Sequence, residues 1–221
     1  MLGLTLGAAW AAIEPPDDPR EVAIAIDILK NSKASEDDKL SALTSFTKTT
    51  NLTDDAFWTL LTTAGDANQP DAVRITSLAR LSGSIAYVLP TDVERGEHTV
   101  ALMMSDRFKA AFLAMDNDRL PEFRAKWLYF FGAVTLNIPP RLTKPLGPIF
   151  LSMLLSSLDT EKDATAMNEG LWSLNQLLEI KLIAIDQAAP SLRRIVTADP
   201  DEGIRETAKD MLFSRGGLSS R

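Results

Sequence analysis

The residue best suited to acid–base or metal chemistry is the one histidine of the chain. His98 directly follows Glu97, and an imidazole beside a carboxylate can transfer protons or bind a metal. The 221 residues hold no second histidine and no cysteine, which excludes His-rich and Cys-based metal sites, disulfides and thiolate catalysis. A lone histidine near a helix start is typical of the surface, so we predict no catalytic residue, no metal and no cofactor.

Three acidic clusters are the other candidate metal ligands, because carboxylates bind calcium. They are Asp17-Asp18, residues 36–38 and residues 116–118. The third begins like an EF-hand loop, but it continues with Arg119-Leu120-Pro121 and lacks the glycine and distal glutamate that the loop needs. We interpret all three clusters as helix caps and solvated turns.

Motifs for nucleotide binding or nucleophilic catalysis are missing as well. The sequence contains no G-x-x-x-x-G-K-[ST], G-x-G-x-x-G, G-x-S-x-G or H-E-x-x-H. Nucleic-acid binders cluster lysine and arginine against phosphates, whereas this chain has a net charge of -7, a pI of about 4.8 and no basic run. Nucleic-acid binding is therefore disfavoured, although these features do not exclude a local basic groove. The helical cations that could line one are Arg74, Arg80, Arg124, Lys126, Arg193, Arg194 and Arg205.

The elements that position these side chains are predicted to be helices throughout. Hydrophobic residues make up 45% of the chain, so a core can be buried, and prolines and capping residues fall between the segments with helical periodicity. Asp18 with Pro19, and Asp199 with Pro200, each combine an N-cap with a proline at the first helical position. The ten expected helices cover about 19–31, 36–49, 54–64, 70–89, 97–115, 121–137, 146–158, 161–181, 186–197 and 200–213.

One phrase recurs along the chain. An apolar residue precedes an arginine at Val73-Arg74, Phe123-Arg124 and Ile204-Arg205, each shortly after an acidic residue. Residues four and eight positions beyond the apolar one stay small or non-polar, and such positions share one helix face. With Lys39 and Thr165 in the corresponding places of the two less regular hairpins, the spacings are 35, 50, 41 and 40 residues.

This pattern resembles the HEAT-repeat family, whose repeats have a similar length. The resemblance implies an all-α fold, namely a right-handed α-solenoid of about five antiparallel helical hairpins of HEAT/armadillo type. It also implies that Arg74, Arg124 and Arg205 form a structural ladder between neighbouring repeats. The expected single repeat domain covers residues 18–213, and residues 214–221 are expected to be a disordered tail.

The apolar positions of these helices predict a continuous core, because stacked repeats bury each other's faces. The core candidates are Leu43, Phe46, Leu60, Leu61, Leu78, Leu81, Phe112, Leu128, Phe131, Leu154, Leu174, Leu178 and Leu212. The run Trp127 to Phe131 is too wide for one helix face, so either this helix is central and buried on most sides or part of the run is an exposed patch. Trp58 and Trp172 are expected in the core, with the concave face as the alternative.

The N-terminal segment, residues 1–17, is apolar and then acidic. Residues 1–11 resemble the hydrophobic part of a secretory signal ending in A-x-A, without its basic start; a frayed tail or cap helix is the alternative. Location is therefore expected to be cytoplasmic, or exported if this segment is a signal. The sequence has no interior run of about 20 apolar residues, so we expect no membrane insertion of the repeat domain.

The function that these features favour is a non-enzymatic scaffold that binds a protein or peptide. The second helix of each hairpin would line the concave surface, where exposed side chains select the partner. The candidates there are Arg80, Lys126, Tyr129, Glu169 and Trp172. The alternatives are an enzyme or nucleic-acid-binding protein on the same scaffold, such as a DNA-repair glycosylase, and an exported structural factor.

Overall fold

A computed structural model describes residues 18–46, 52–87, 93–116, 118–136 and 139–216. The described part of the chain is all-α and contains no strand, so the predicted fold class is confirmed at that level. The α-helices are α1 (Pro19–Lys30), α2 (Glu36–Leu43), α3 (Asp54–Gly65), α4 (Asp71–Tyr87), α5 (Val93–Met104), α6 (Asp106–Asp116), α7 (Pro121–Leu136), α8 (Pro140–Thr143), α9 (Gly147–Thr160), α10 (Ala164–Glu179), α11 (Ile185–Ala198) and α12 (Glu202–Gly216).

Helix starts follow the capping residues, with one correction. The Asp18 carboxylate accepts a hydrogen bond from the amide of Arg20 at 2.9 Å, and Ser35 forms a capping box with Asp38. The last helix does not begin at Pro200. The carboxylate of Asp201 accepts from the amide of Ile204 at 3.1 Å and α12 starts at Glu202, because two aspartates compete for the cap and the second one occupies it.

The helix expected over 97–115 is in fact two helices, α5 and α6. Ser105 separates them: its hydroxyl donates to the carbonyl of Leu102 at 2.6 Å and accepts from the amide of Phe108 at 3.2 Å. A serine that caps a new helix in this way ends the old one. The Pro-rich stretch 137–148 contains the short helix α8 and a 3₁₀ turn over 144–146 before α9 begins.

Successive helices pack in five pairs. These are α1 with α2, α3 with α4, α6 with α7, α9 with α10, and α11 with α12. The second members also contact one another in order, from α2 to α4, α7, α10 and α12, and we call these five helices the second-helix row. On the other side α1 contacts α3, α3 contacts α6, and α9 contacts α11, while α5 contacts the segment 140–146.

Helix α7 lies at the centre of the core. Trp127, Leu128, Phe130 and Phe131 are buried, and only Tyr129 of this aromatic run reaches the surface, at 36% exposure. The Trp127 ring lies 5.1–6.3 Å from the rings of phenylalanines on α6 and α7. Both alternatives for the run thus hold in part: the helix is central, and one residue of the run points outward.

The predicted core residues are buried with one exception. Leu212, on α12, is only partly buried, because α12 is the last helix of the row in the described chain and no further helix covers it. The expected signal segment lies outside the described residues, as do residues 217–221 of the expected disordered tail, whereas residues 214–216 belong to α12. Among the described helices, none has the length and apolar character needed to cross a membrane.

Candidate interaction surface

Arg74 links two neighbouring pairs of helices. It is only 2% exposed, and its guanidinium forms an ion pair with Asp118 in the turn before α7. Its Nε donates to the carbonyl oxygen of Ala64 at 3.1 Å, near the end of α3, and its Cζ lies 4.5 Å from the centre of the Phe123 ring on α7. One side chain of α4 therefore contacts its own hairpin and the next one.

Arg124 repeats this arrangement one pair further along the chain. Its Nε and one Nη donate to both carboxylate oxygens of Glu161, in the turn before α10, at 2.8 and 3.0 Å. The other Nη donates to the carbonyl oxygen of Asp118, in its own turn, at 2.6 Å. Two-point binding of a carboxylate fixes the orientation of both groups, so Arg124 joins the turn before α7 to the turn before α10.

Lys39 and Arg205 occupy the corresponding places at the ends of the row. The Nζ of Lys39, which is 4% exposed, donates to the side-chain oxygen of Gln69 at 2.7 Å, in the turn before α4. Arg205 donates to the carbonyl oxygens of Asp199 and Pro200 at 2.7 and 2.9 Å. The contacts recorded for Arg205 are thus with its own turn, as suits the last helix of the row.

The ion pairs shift the titration of their members. Burial acts to raise the pKa of the Asp118 carboxyl, but the hydrogen bond from Arg74, the amide of Leu120 and the nearby arginine charges hold this pKa below its ordinary value. At Glu161 burial also acts to raise the pKa, but the hydrogen bonds from Arg124 and from two backbone amides hold it below its ordinary value. The hydrogen bond to Glu161 raises the pKa of Arg124. Both carboxylates are therefore ionised at neutral pH.

Further along the same helices, two aromatic side chains meet at the surface. The rings of Tyr129 on α7 and Trp172 on α10 stack at 4.6 Å with planes 16° apart, and we call them the aromatic pair. The Nζ of Lys126 lies 5.9 Å from the centre of the Tyr129 ring. Glu169 stands one helical turn before Trp172 and is partly exposed. Trp172 is partly exposed as well, so it faces both the core and the solvent.

Below the aromatic pair, α7 and α10 are in close contact. The hydroxyl of Ser173 accepts from the amide of Gly132 at 3.0 Å and donates to the carbonyl of Leu128 at 2.6 Å. It thereby contacts both members of an i, i−4 backbone pair of α7. A Cβ atom on Gly132 would lie 2.5 Å from the Trp172 ring and 2.9 Å from the Cα of Ser173, so only glycine fits there.

Between α4 and α7 the surface instead opens into a groove. Its walls include Tyr129 and Leu136, which is 47% exposed, and Lys126 is the charged residue of the lining. Apart from its chain neighbours and its own helix backbone, a Cβ atom on Gly83 would meet no described atom within 4 Å. The described residues that line the groove are Leu78, Ala79, Ser82, Gly83, Ala86, Lys126, Tyr129, Ala133 and Leu136.

The structure brings three of the five predicted partner-binding residues together, namely Lys126, Tyr129 and Trp172. Glu169 shares the helix face of Trp172. Arg80 is partly buried on α4 and is not among the described residues that line the groove. Whether any of the five binds a partner stays a prediction.

Sequence reasoning missed the groove and the acidic partners of the arginines. The groove had a signal, because Ala79, Ser82, Gly83 and Ala86 are small residues on one helix face. Asp118 was interpreted as a cap, and its carboxylate does accept from the amide of Leu120 at 2.9 Å, but the same group also pairs with Arg74. Glu161 stands in the corresponding turn of the next pair and was not singled out.

The remaining chemical candidates have local partners. His98 on α5 contacts the carboxylate of Asp54 at the start of α3, and both side chains are more than half exposed. In the described part of the chain, no group of three histidine, aspartate or glutamate side chains is arranged to hold a metal ion. Trp58 is partly buried beneath Arg107, whose Cζ lies 4.0 Å from its ring centre.

Comparisons of the chain with protein-family models, with curated proteins and with solved structures found no match.

Proposed function

We propose that this protein is a HEAT-like α-solenoid that acts as a non-enzymatic scaffold and binds a protein or peptide through its second-helix row. In this proposal five antiparallel hairpins stack with a right-handed superhelical twist. The support is the contact pattern, in which each second helix touches the second helix before and after it. Such nearest-neighbour stacking is the defining property of repeat proteins.

The side chains at the start of the second helices support the same proposal. Lys39, Arg74 and Arg124 each contact the turn that precedes the next second helix, at Gln69, Asp118 and Glu161. Equivalent positions that make equivalent contacts are expected of a ladder between repeats. A compact domain of this length would have a radius of gyration of about 17 Å, and an elongated solenoid should have a larger one. Small-angle X-ray scattering measures this radius.

The observation that carries the functional proposal is the aromatic pair. Tyr129 and Trp172 lie on neighbouring second helices, stack at 4.6 Å and remain accessible to solvent. Tyrosine and tryptophan are the side chains that most often anchor protein interfaces. Lys126 and Glu169 lie one turn before them, which gives the surface a charged rim of both signs.

A nucleic-acid interface has less support. Arg74 and Arg124 are held by Asp118 and Glu161, so neither cation is available for a phosphate without breaking an ion pair. The net charge of -7 adds an unfavourable long-range term.

Affinity capture from native lysate tests the proposal, with Tyr129→Glu as the disrupting variant. Leu113→Glu is the matched control, because Leu113 is 68% exposed on α6 and lies outside the second-helix row. We expect a protein that is captured by the wild type and by Leu113→Glu, and lost with Tyr129→Glu, in lysate treated with nuclease. Equal capture by both variants, or capture that depends on intact nucleic acid, contradicts the proposal.

A further inference from the structure

We infer that the groove between α4 and α7 is a peptide site that takes an aliphatic side chain next to a single carboxylate. The inference rests on the proposed function and names the chemistry of the partner. Three observations carry it: the shape of the groove, the one charge in its lining and the acidity of the whole chain.

The shape comes from residues that leave space. Apart from its chain neighbours and its own helix backbone, a methyl group added to Gly83 would have no described atom within 4 Å. Ala79 and Ala86 extend this low floor along α4, and Tyr129 and Leu136 lie on the opposite side. An open channel with apolar walls gains free energy by covering an aliphatic side chain. Lys126 and Leu136 mark its ends, and ten residues of helix separate them by about 15 Å.

The charge comes from Lys126. It is the charged residue of the lining, it is exposed, and it forms no ion pair with any carboxylate of the described chain. Its one recorded contact is with the Tyr129 ring. A ligand carboxylate at this end of the groove would therefore be complementary to it.

The total charge limits how acidic the ligand can be. A chain with a net charge of -7 repels a run of acidic residues. One carboxylate beside apolar side chains avoids most of this repulsion and still pairs with Lys126. A span of about 15 Å corresponds to four or five residues of extended peptide, so the acidic and aliphatic residues should lie within five positions of each other.

The test is selection from a phage-displayed library of random 12-residue peptides on the purified full chain. Gly83→Leu fills the groove without meeting any described atom near its Cβ position, and it should fold, because leucine is favoured over glycine in a helix. Lys126→Glu reverses the charge. Leu113→Glu is the control on α6. Melting curves confirm that each variant is folded, and fluorescence anisotropy with one enriched peptide gives the affinities.

We expect the enriched peptides to share an aliphatic residue and one acidic residue within five positions. Their affinity should fall by about tenfold or more with Gly83→Leu and with Lys126→Glu, and remain unchanged with Leu113→Glu. Selection on Lys126→Glu should favour lysine or arginine in place of the acid.

Two other results would overturn the inference, and they differ in what they say of the function. If enriched peptides bind Gly83→Leu as tightly as the wild type but lose affinity with Trp172→Ala, a residue of the second-helix row that does not line the groove, the row binds peptides elsewhere and only the groove is wrong. If the wild type enriches no peptide above the background of the blocked surface, the groove site and peptide binding by this row both fail.

Discussion

Helix α7 has a neighbour on each side in the second-helix row, and the two interfaces differ. Toward α10 it is closed, since the hydroxyl of Ser173 contacts the α7 backbone and the Trp172 ring covers Gly132. Toward α4, Arg74 and Asp118 close the interface at the turn, and further along its surface opens into the groove above Gly83. Two neighbouring interfaces of one row can therefore differ in kind. The α7/α10 interface brings the two helices into close contact, whereas the α4/α7 interface leaves a groove at the surface.

The largest effect is expected at the closed end of the α4/α7 interface. Arg74→Met should lower the free energy of unfolding by about 3–5 kcal/mol, because it leaves the carboxylate of Asp118, a side chain that is 9% exposed, without its partner. Urea unfolding at neutral pH measures the loss. Loss of the Arg74–Asp118 ion pair also removes the contact that closes the α4/α7 interface at the turn, so the groove should extend toward this turn.

Arg119→Met is the matched control for that change. Arg119 is 79% exposed and lies 3.9 Å from Asp71, and exposed pairs contribute about 0–1 kcal/mol. Similar losses for the two arginines would mean that the burial of Arg74 does not matter.

A medium effect is expected from the two glycines of this comparison. Gly132→Ala should cost about 1–3 kcal/mol, because the new methyl group overlaps the Trp172 ring and the Ser173 backbone. Gly83→Ala meets no described neighbour and should instead gain about 0.5–1 kcal/mol from the better helix former. Thermal melts of both variants measure the difference; shifts of the same sign would contradict the distinction between a closed and an open interface.

The smallest effect concerns acid. Asp118 and Glu161 have folded-state pKa values below their ordinary values of 3.8 and 4.5. Their stabilising contribution is therefore complete above these ordinary values and is lost as the pH falls through the lowered values. Glu161→Gln should destabilise the protein at pH 6 and progressively less as the pH falls below 4.5, because the unfolded chain then binds the proton before the folded chain does and the stabilising contribution of the carboxylate shrinks.

Asp159→Asn is the control for the acid experiment. Asp159 pairs with Arg194 at 2.7 Å, and the two side chains are 49% and 42% exposed, so its effect should be small at both pH values. Urea unfolding across this pH range gives the free energies. An effect of Glu161→Gln that does not change with pH would contradict the role assigned to its charge.

The sequence was a good guide to whatever depends on neighbouring residues. Helical periodicity predicted the all-α class and nearly all of the core, and the N-cap at Asp18 was confirmed. The break at Ser105 was missed because the apolar pattern continues through it, and only the hydroxyl contacts reveal the new start. The prediction that Leu212 is buried was wrong, because its position at the end of the row, and not its periodicity, decides its burial.

The surface was harder to predict, because it depends on which helices meet. The partners of Arg74 and Arg124 stand 44 and 37 residues away, and no local pattern pairs them. The sequence names Tyr129 and Trp172 separately as candidates for the concave surface, but their stacking follows from the close approach of α7 and α10, which depends on Gly132. The groove needs the absence of a side chain at Gly83 and a wall from another helix.

The cover that Trp172 forms over Gly132 also constrains how this protein can diverge. A Cβ atom at position 132 would meet the Ser173 backbone as well as the Trp172 ring, so a smaller residue at position 172 does not make room for one, and position 132 should stay glycine among related sequences. Position 83 has no such restraint among the described residues, and under the proposed function it should vary with the peptide bound in the groove.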